Sequence, residues 1–141
     1  DEEVRVYTKG PLCAINIKTM PYPGFPTDLQ PQAVVMLATV NGTSIVTEGV
    51  WDSRFQYIAE LLKMNAKITV DGKRAVISGG APLKAGKVAA TDLRAGASMI
   101  IAALSCDGTT EISNIRHIDR GYEHIVEKLT ALGADIRRLN D

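Results

Sequence analysis

No apolar run in this sequence approaches the roughly 18–20 residues needed to cross a bilayer, so it offers no candidate membrane span. The opening Asp1-Glu2-Glu3 carries none of the positive charge of a secretory leader. Neither sign of charge is in excess. Sixteen basic and sixteen acidic residues cancel, whereas a polyanion-binding surface would show a basic surplus, so nucleic acid is disfavoured as a partner. Cysteine is scarce: Cys13 and Cys106 lie far apart, without metal-ligand spacing, and read as reduced, buried small hydrophobes of a cytoplasmic protein. A Walker-type glycine loop, paired metal ligands and a Ser/His/Asp set are all lacking, and no cofactor or metal is implied.

What is present is ordinary globular material. With 45% apolar and 23% charged residues, 141 residues suffice for one packed core, and disorder is excluded. Val4–Thr8 and Cys13–Thr19 alternate as half-buried strands should. Then comes Pro21-Tyr22-Pro23-Gly24-Phe25-Pro26-Thr27-Asp28-Leu29-Gln30, whose prolines rule out helix before Thr27. A helix follows, with Leu29, Ala33, Met36, Leu37 and Val40 at helical spacing. Thr27 with Gln30 fits a capping box, Asp28 equally fits the cap, and either way a carboxylate sits where the helix dipole favours it. Asn41-Gly42 marks a turn before the β-prone run Thr43–Thr47. Asp52 or Ser53 can start a second helix bearing Phe55, Ile58, Leu61 and Leu62 on one face, and residues 67–78 read as a hairpin turning near Asp71-Gly72.

The plan then starts over. Thr91-Asp92-Leu93 matches Thr27-Asp28-Leu29, and the helix after it carries Leu93, Ala97, Ile100, Ile101 and Leu104 at the same apolar steps. Asp107-Gly108-Thr109-Thr110 answers Asn41-Gly42-Thr43-Ser44, Arg120 answers Arg54, each expected to open a helix, and Gly133-Ala134-Asp135-Ile136 echoes Asn65-Ala66-Lys67-Ile68. Self-comparison thus gives a duplicated unit of about 65 residues. The expected division is one unit over about 13–80, a second over about 87–141, and a strand remnant in 1–12.

Three motifs in fixed order, Pro-Gly-Phe-Pro-Thr-Asp ending at Asp28, Thr91-Asp92-Leu93-Arg94-Ala95, and Asp119-Arg120-Gly121-Tyr122-Glu123, resemble the enolpyruvyl transferase family. The resemblance runs from about Val4 to the last residues. It implies an α+β fold of repeated βαβαββ units, an inside-out α/β barrel, with two of three units of one domain present. It also implies transfer of the enolpyruvyl group of phosphoenolpyruvate to a hydroxyl with release of phosphate. The motifs most resemble the branch that uses UDP-N-acetylglucosamine in peptidoglycan precursor synthesis. The alternatives are a shikimate-phosphate-accepting member and a non-catalytic stand-alone binding module. The chain is expected to need the missing domain as its partner and to be inactive alone.

By the same resemblance, Asp28 is the base at the sugar hydroxyl, and Arg94 and Arg120 are cleft cations for phosphate and carboxylate, a task that guanidinium forks suit. Without it, Asp28 could be only a helix cap and Arg94 only a surface partner of Asp92. Arg54 is read equally as a cleft residue and as a repeat position. Val50 matches a residue whose backbone carbonyl holds the uridine nucleotide, and Trp51 replaces a more usual phenylalanine beside the sugar. His117 and His124 read as solvated. The family's reactive cysteine loop and its lysine–asparagine pair have no counterpart here.

Overall fold

The structure is a computed structural model that describes residues 3–139. Its first strand is short: β1 is Ile17–Lys18. The proline-rich segment folds on itself, Gly24 N–H donating to the Pro21 carbonyl at 2.9 Å and Met20 N–H to that of Phe25 at 3.0 Å. A single 3-10 turn, Thr27–Leu29, leads directly into α1, Gln30–Thr39. Neither Thr27 nor Asp28 caps this helix through its side chain, contrary to the expected capping box. The side chains have other partners, described below.

β2 (Gly42–Thr47), α2 (Ile58–Lys63), β3 (Ile68–Asp71) and β4 (Arg74–Gly79) follow. They make a four-stranded sheet in the order β1-β2-β4-β3, parallel between β1 and β2 and antiparallel elsewhere. Along β4 the burial alternates, with Ala75 and Ile77 inside and Arg74, Val76 and Ser78 outside, as a sheet with one covered face requires. Asp71 pairs with Arg74, so the hairpin turns on Gly72-Lys73, with Gly72 at φ +54°.

β5 (Lys87–Ala89) and β6 (Glu111–Ser113) pair in parallel, bridged by α3 (Leu93–Leu104) much as α1 bridges β1 and β2. α4 (Arg116–Asp119) and α5 (Ile125–Ala131) complete the chain. α1 and α3 pack together, α1 also against β4 and β2, and α3 also against β5 and α4. This is an α+β arrangement without a closed barrel. The main core joins both stretches: Val34, Leu37, Leu61, Ile77, Ala95 and Met99 belong to one cluster. Each of the larger side chains among these (Val34, Leu37, Leu61, Ile77 and Met99) contributes on the order of 1.5–3 kcal/mol on full burial.

α2 and α5 end alike. Asn65 (φ +69°) and Gly133 (φ +96°) are left-handed, and the next N–H, of Ala66 and of Ala134, reaches back to the carbonyls of Leu61 and Leu129 at 3.1 and 3.0 Å. This is the Schellman closure at matching positions of the two stretches.

Several expectations differ. Val4–Thr8 forms no strand and is exposed, because no described strand pairs with it to satisfy its backbone. Residues 1–2 of the expected remnant and 140–141 of the second unit lie outside the described range. Cys13 is exposed, since only the end of the Cys13–Thr19 run joins the sheet. Leu29, Met36, Ile101 and Leu104 remain exposed although they keep helical spacing. His117 lies half-buried in α4 rather than in a loop, and His124 is the left-handed residue preceding α5.

Candidate functional site

Asp28 stands on the 3-10 turn with its carboxylate outward and held by two arginines. Arg54 Nη2 donates to Oδ1 at 3.1 Å and Arg94 Nη2 to Oδ2 at 2.8 Å. The Asp28 side chain is 53% exposed, against 19% for Arg54 and 35% for Arg94. The carboxylate therefore faces solvent while its partners are rooted in the fold. Residues from three separate segments meet here.

Arg94 reaches Asp28 because α3 is firmly capped. The Asp92 carboxylate accepts from the backbone N–H groups of Arg94 at 2.8 Å and Ala95 at 2.9 Å, satisfying two otherwise free donors. Asp92 thus holds Arg94 through the backbone and leaves its guanidinium to Asp28. The Tyr122 hydroxyl, 3.5 Å from Arg94 Nη1, and then the Asp28 carboxylate raise the Arg94 guanidinium above its ordinary value and keep it charged. Arg54 retains a buried Nε–H with no hydrogen-bond partner.

Arg120 is not part of this cluster. It follows α4 as its C-cap instead of opening a helix, its side chain is exposed, and it has no ion-pair partner among the described residues. Its backbone is nevertheless seated beside α3. Gly121 lies so close to Leu93 that a Cβ there would come within 2.8 Å of it, and Tyr122 approaches Arg94. Asp119 fixes the other side of the turn through a two-pronged pair with Arg138, at 2.9 and 2.6 Å. Arg120 therefore stands exposed on a pinned turn whose next two residues lie against the start of α3.

Val50 and Trp51 lie just past β2, both exposed. A group that the motifs did not single out shapes them. Glu48 is 1% exposed, yet none of its bonds is to a cation. Its Oε1 accepts from Thr19 Oγ1 (2.6 Å), Val50 N–H (2.9 Å) and Trp51 N–H (3.2 Å), and its Oε2 from Thr27 Oγ1 (3.0 Å) and Gln30 Nε2 (3.3 Å). Burial opposes its ionisation, but these bonds, led by that of Thr19, outweigh it and hold the carboxyl below its ordinary value. Behind Gln30, Tyr57 donates to Oε1 at 2.7 Å. Burial and then the Asp92 and Glu48 charges push its phenol well up, so it stays a donor.

One surface hollow is lined by Asp52, Arg54, Ile58, Leu62 and Val70 among others. Asp28, Arg94 and Arg120 do not line it.

Residues 1–129 match the sequence model of the family described as EPSP synthase (3-phosphoshikimate 1-carboxyvinyltransferase). The chain is 50% identical over 141 residues to UDP-N-acetylglucosamine 1-carboxyvinyltransferase 3 of Caldanaerobacter subterraneus subsp. tengcongensis, covering all of this chain and 34% of that protein. It is 54% identical over 136 residues to UDP-N-acetylglucosamine 1-carboxyvinyltransferase 2 of Carboxydothermus hydrogenoformans, covering 96% of this chain and 32% of that one. Among solved structures, the enolpyruvyl transferase NikO from Streptomyces tendae superposes with a TM-score of 0.84 at 35% identity, over 92% of this chain and 30% of that one. The chain therefore spans about a third of the length of the curated relatives it matches. On the family match across most of its length, and on a fold shared with a solved enolpyruvyl transferase, the chain belongs to the EPSP synthase family of enolpyruvyl transferases.

Proposed function

We propose that this chain forms one wall of the cleft in which the enolpyruvyl group of phosphoenolpyruvate passes to the 3′-hydroxyl of UDP-N-acetylglucosamine with release of phosphate. The observation that carries the reading is the outward Asp28 carboxylate clamped between Arg54 and Arg94. In an addition–elimination sequence, the sugar oxygen attacks the central carbon of phosphoenolpyruvate while the methylene carbon gains a proton. Phosphate then leaves as that proton is lost again. Asp28 takes the proton of the attacking hydroxyl. A carboxylate is a weak base for an alcohol, so its effect comes chiefly from position, and the two arginines supply that. Each carboxylate oxygen keeps a second lone pair for the hydroxyl.

Arg94, Arg54 and the unpaired Arg120 form the cationic set for the phosphate and carboxylate of phosphoenolpyruvate. Val50 and Trp51 border the nucleotide and sugar. The proton donor for the methylene carbon and the remaining anion-binding groups are assigned to a partner domain, in keeping with the two thirds of the curated relatives' length that lies outside the match. Leu29 just before α1, Met36 on α1, and Ile101 and Leu104 on α3, all left exposed, support a covering neighbour there. The matched closures of α2 and α5 support a division into units over about 13–80 and 87–141. The free thiols Cys13 and Cys106 support a cytoplasmic setting, where peptidoglycan precursors would be made.

The family description names shikimate phosphate as acceptor, whereas the relatives sharing half of this chain's residues are named for the sugar nucleotide. With this chain as the matching third of a full-length carboxyvinyltransferase (hereafter the full-length enzyme), phosphate release from phosphoenolpyruvate is expected with UDP-N-acetylglucosamine and not with shikimate 3-phosphate. The reverse preference, or none, overturns the reading. In the same enzyme, Arg120→Lys keeps the charge and loses the fork. The KM for phosphoenolpyruvate is expected to rise about tenfold, the loss of one bidentate charged contact, with little change for the sugar nucleotide. An unchanged KM for phosphoenolpyruvate removes Arg120 from the contact set.

A further inference from the structure

Glu48 has no part in the chemistry just described, and it is the most elaborately bonded side chain among the described residues. It receives donors from β1's extension (Thr19), from the Asp28 turn and helix start (Thr27, Gln30), and from the strap after β2 (Val50, Trp51). Thr19 Oγ1 in turn accepts from Gly49 N–H at 2.8 Å, closing the strap onto the same point. We propose that Glu48 is a positioning residue that sets the Asp28 turn and the Val50–Trp51 strap in register with each other, and so aligns the acceptor's hydroxyl with Asp28 while its nucleotide is held at the strap. The inference rests on the functional reading above and adds to it what fixes the alignment.

The peptide geometry gives this its direction. In a planar trans peptide the N–H and the C=O point opposite ways. Trp51 N–H is drawn to Glu48, so the carbonyl of Val50, in the same peptide unit, faces away from the buried carboxylate. Asp28 also faces away, being the residue after Thr27 and paired outward with Arg54 and Arg94. One buried group thus turns both ligand-facing acceptors outward.

The chemistry explains why this group is a carboxylate. Five donors meet its two oxygens, and only an acceptor with no donor of its own can take them all. Glutamine at this place would set an amide NH2 against Gln30 Nε2 or against the strap. Gln30 cannot simply turn over, because its own oxygen holds the Tyr57 hydroxyl. With every partner neutral, the charge is kept for its acceptor capacity and not for an ion pair.

Two variants test this in the full-length enzyme, with kcat and both KM values measured on folded protein. Thr27→Val removes the shorter of the two bonds that tie Glu48 to the Asp28 turn and helix start, and leaves the bonds to the strap in place. It is expected to lower kcat by roughly 10- to 100-fold, the cost of a displacement near 1 Å, with the KM for UDP-N-acetylglucosamine within about threefold. Glu48→Gln disturbs both sides and is expected to lower kcat similarly and also to raise that KM. The KM for phosphoenolpyruvate stays within about threefold in both variants. Lower thermal stability with unchanged kinetic constants would make Glu48 a purely structural group and overturn the inference. If Glu48→Gln does not fold, Thr27→Val decides alone. An unsubstituted enzyme that turns over no UDP-N-acetylglucosamine overturns the functional reading and this inference together. An active one whose Thr27→Val variant is unimpaired overturns only the inference.

Discussion

Substituting asparagine for Asp28 in the full-length enzyme is expected to cut kcat by about 10²–10⁴-fold, the range ascribed to a positioned proton acceptor, and to leave the fold intact. The amide has the size of the carboxylate but cannot accept the hydroxyl proton. It also keeps an oxygen for only one of the two arginines. The structural cost is small because the site is open. Asp28 is more than half exposed, and ion pairs in such settings are worth about 0–1 kcal/mol each. The melting temperature should therefore move by only a few degrees. Stability and turnover separate cleanly here, and that separation is the diagnostic. A variant that is less stable yet fully active would reduce Asp28 to an anchor for Arg54 and Arg94. An inactive variant of normal stability places it among the reacting groups.

The parts of this site that sequence reading reached are those carried by local signals. Prolines before Thr27 ruled out helix there, the apolar spacing after it fixed a helix, and the repeated Thr-Asp-Leu tied Asp28 to Asp92. Yet the two aspartates do different work. Asp92 is extended and caps α3, whereas Asp28 lies in a 3-10 turn and caps nothing. The difference comes from Thr27 and Gln30, which turn inward to Glu48. Periodicity cannot register that choice, because it depends on a carboxylate eighteen residues beyond Gln30 in the chain. Glu48 carried one weak signal: it lies in the stretch between Lys18 and Arg54 that has no basic residue to pair with it. The second helix was placed too early for a similar reason. Asp52, which could have capped it, pairs with Lys73 in the hairpin turn at 2.7 Å, and α2 starts only at Ile58. Leu29, Met36, Ile101 and Leu104 keep helical spacing, but the buried side of α1 is made by Val34, Val35, Leu37 and Ala38. In each case a distant partner outbid a local preference.

The strap that Glu48 holds has a steric requirement of its own, and it yields the largest expected effect on stability. Gly49 passes so close to β1's extension that a Cβ built on it would lie 2.2 Å from the Thr19 carbonyl oxygen. The obstacle is backbone, so no rotamer change relieves it. Thr19 itself is held by its N–H to the Thr47 carbonyl at 2.9 Å and by its hydroxyl to Glu48. Gly49→Ala must therefore push the strap away from Thr19, stretching the Gly49 N–H···Oγ1 bond and the two strap bonds to Glu48 together. Overpacking of this kind costs about 1–3 kcal/mol, and loosening a buried carboxylate from its donors adds to it. A fall in melting temperature of roughly 10 °C is expected in the isolated chain, read by circular dichroism. In the full-length enzyme the same change should raise the KM for UDP-N-acetylglucosamine, because the Val50 carbonyl moves with the strap. A variant as stable as the unsubstituted chain would mean that the strap can shift freely, and would deny it the fixed place from which both Val50 and Glu48 are argued to act.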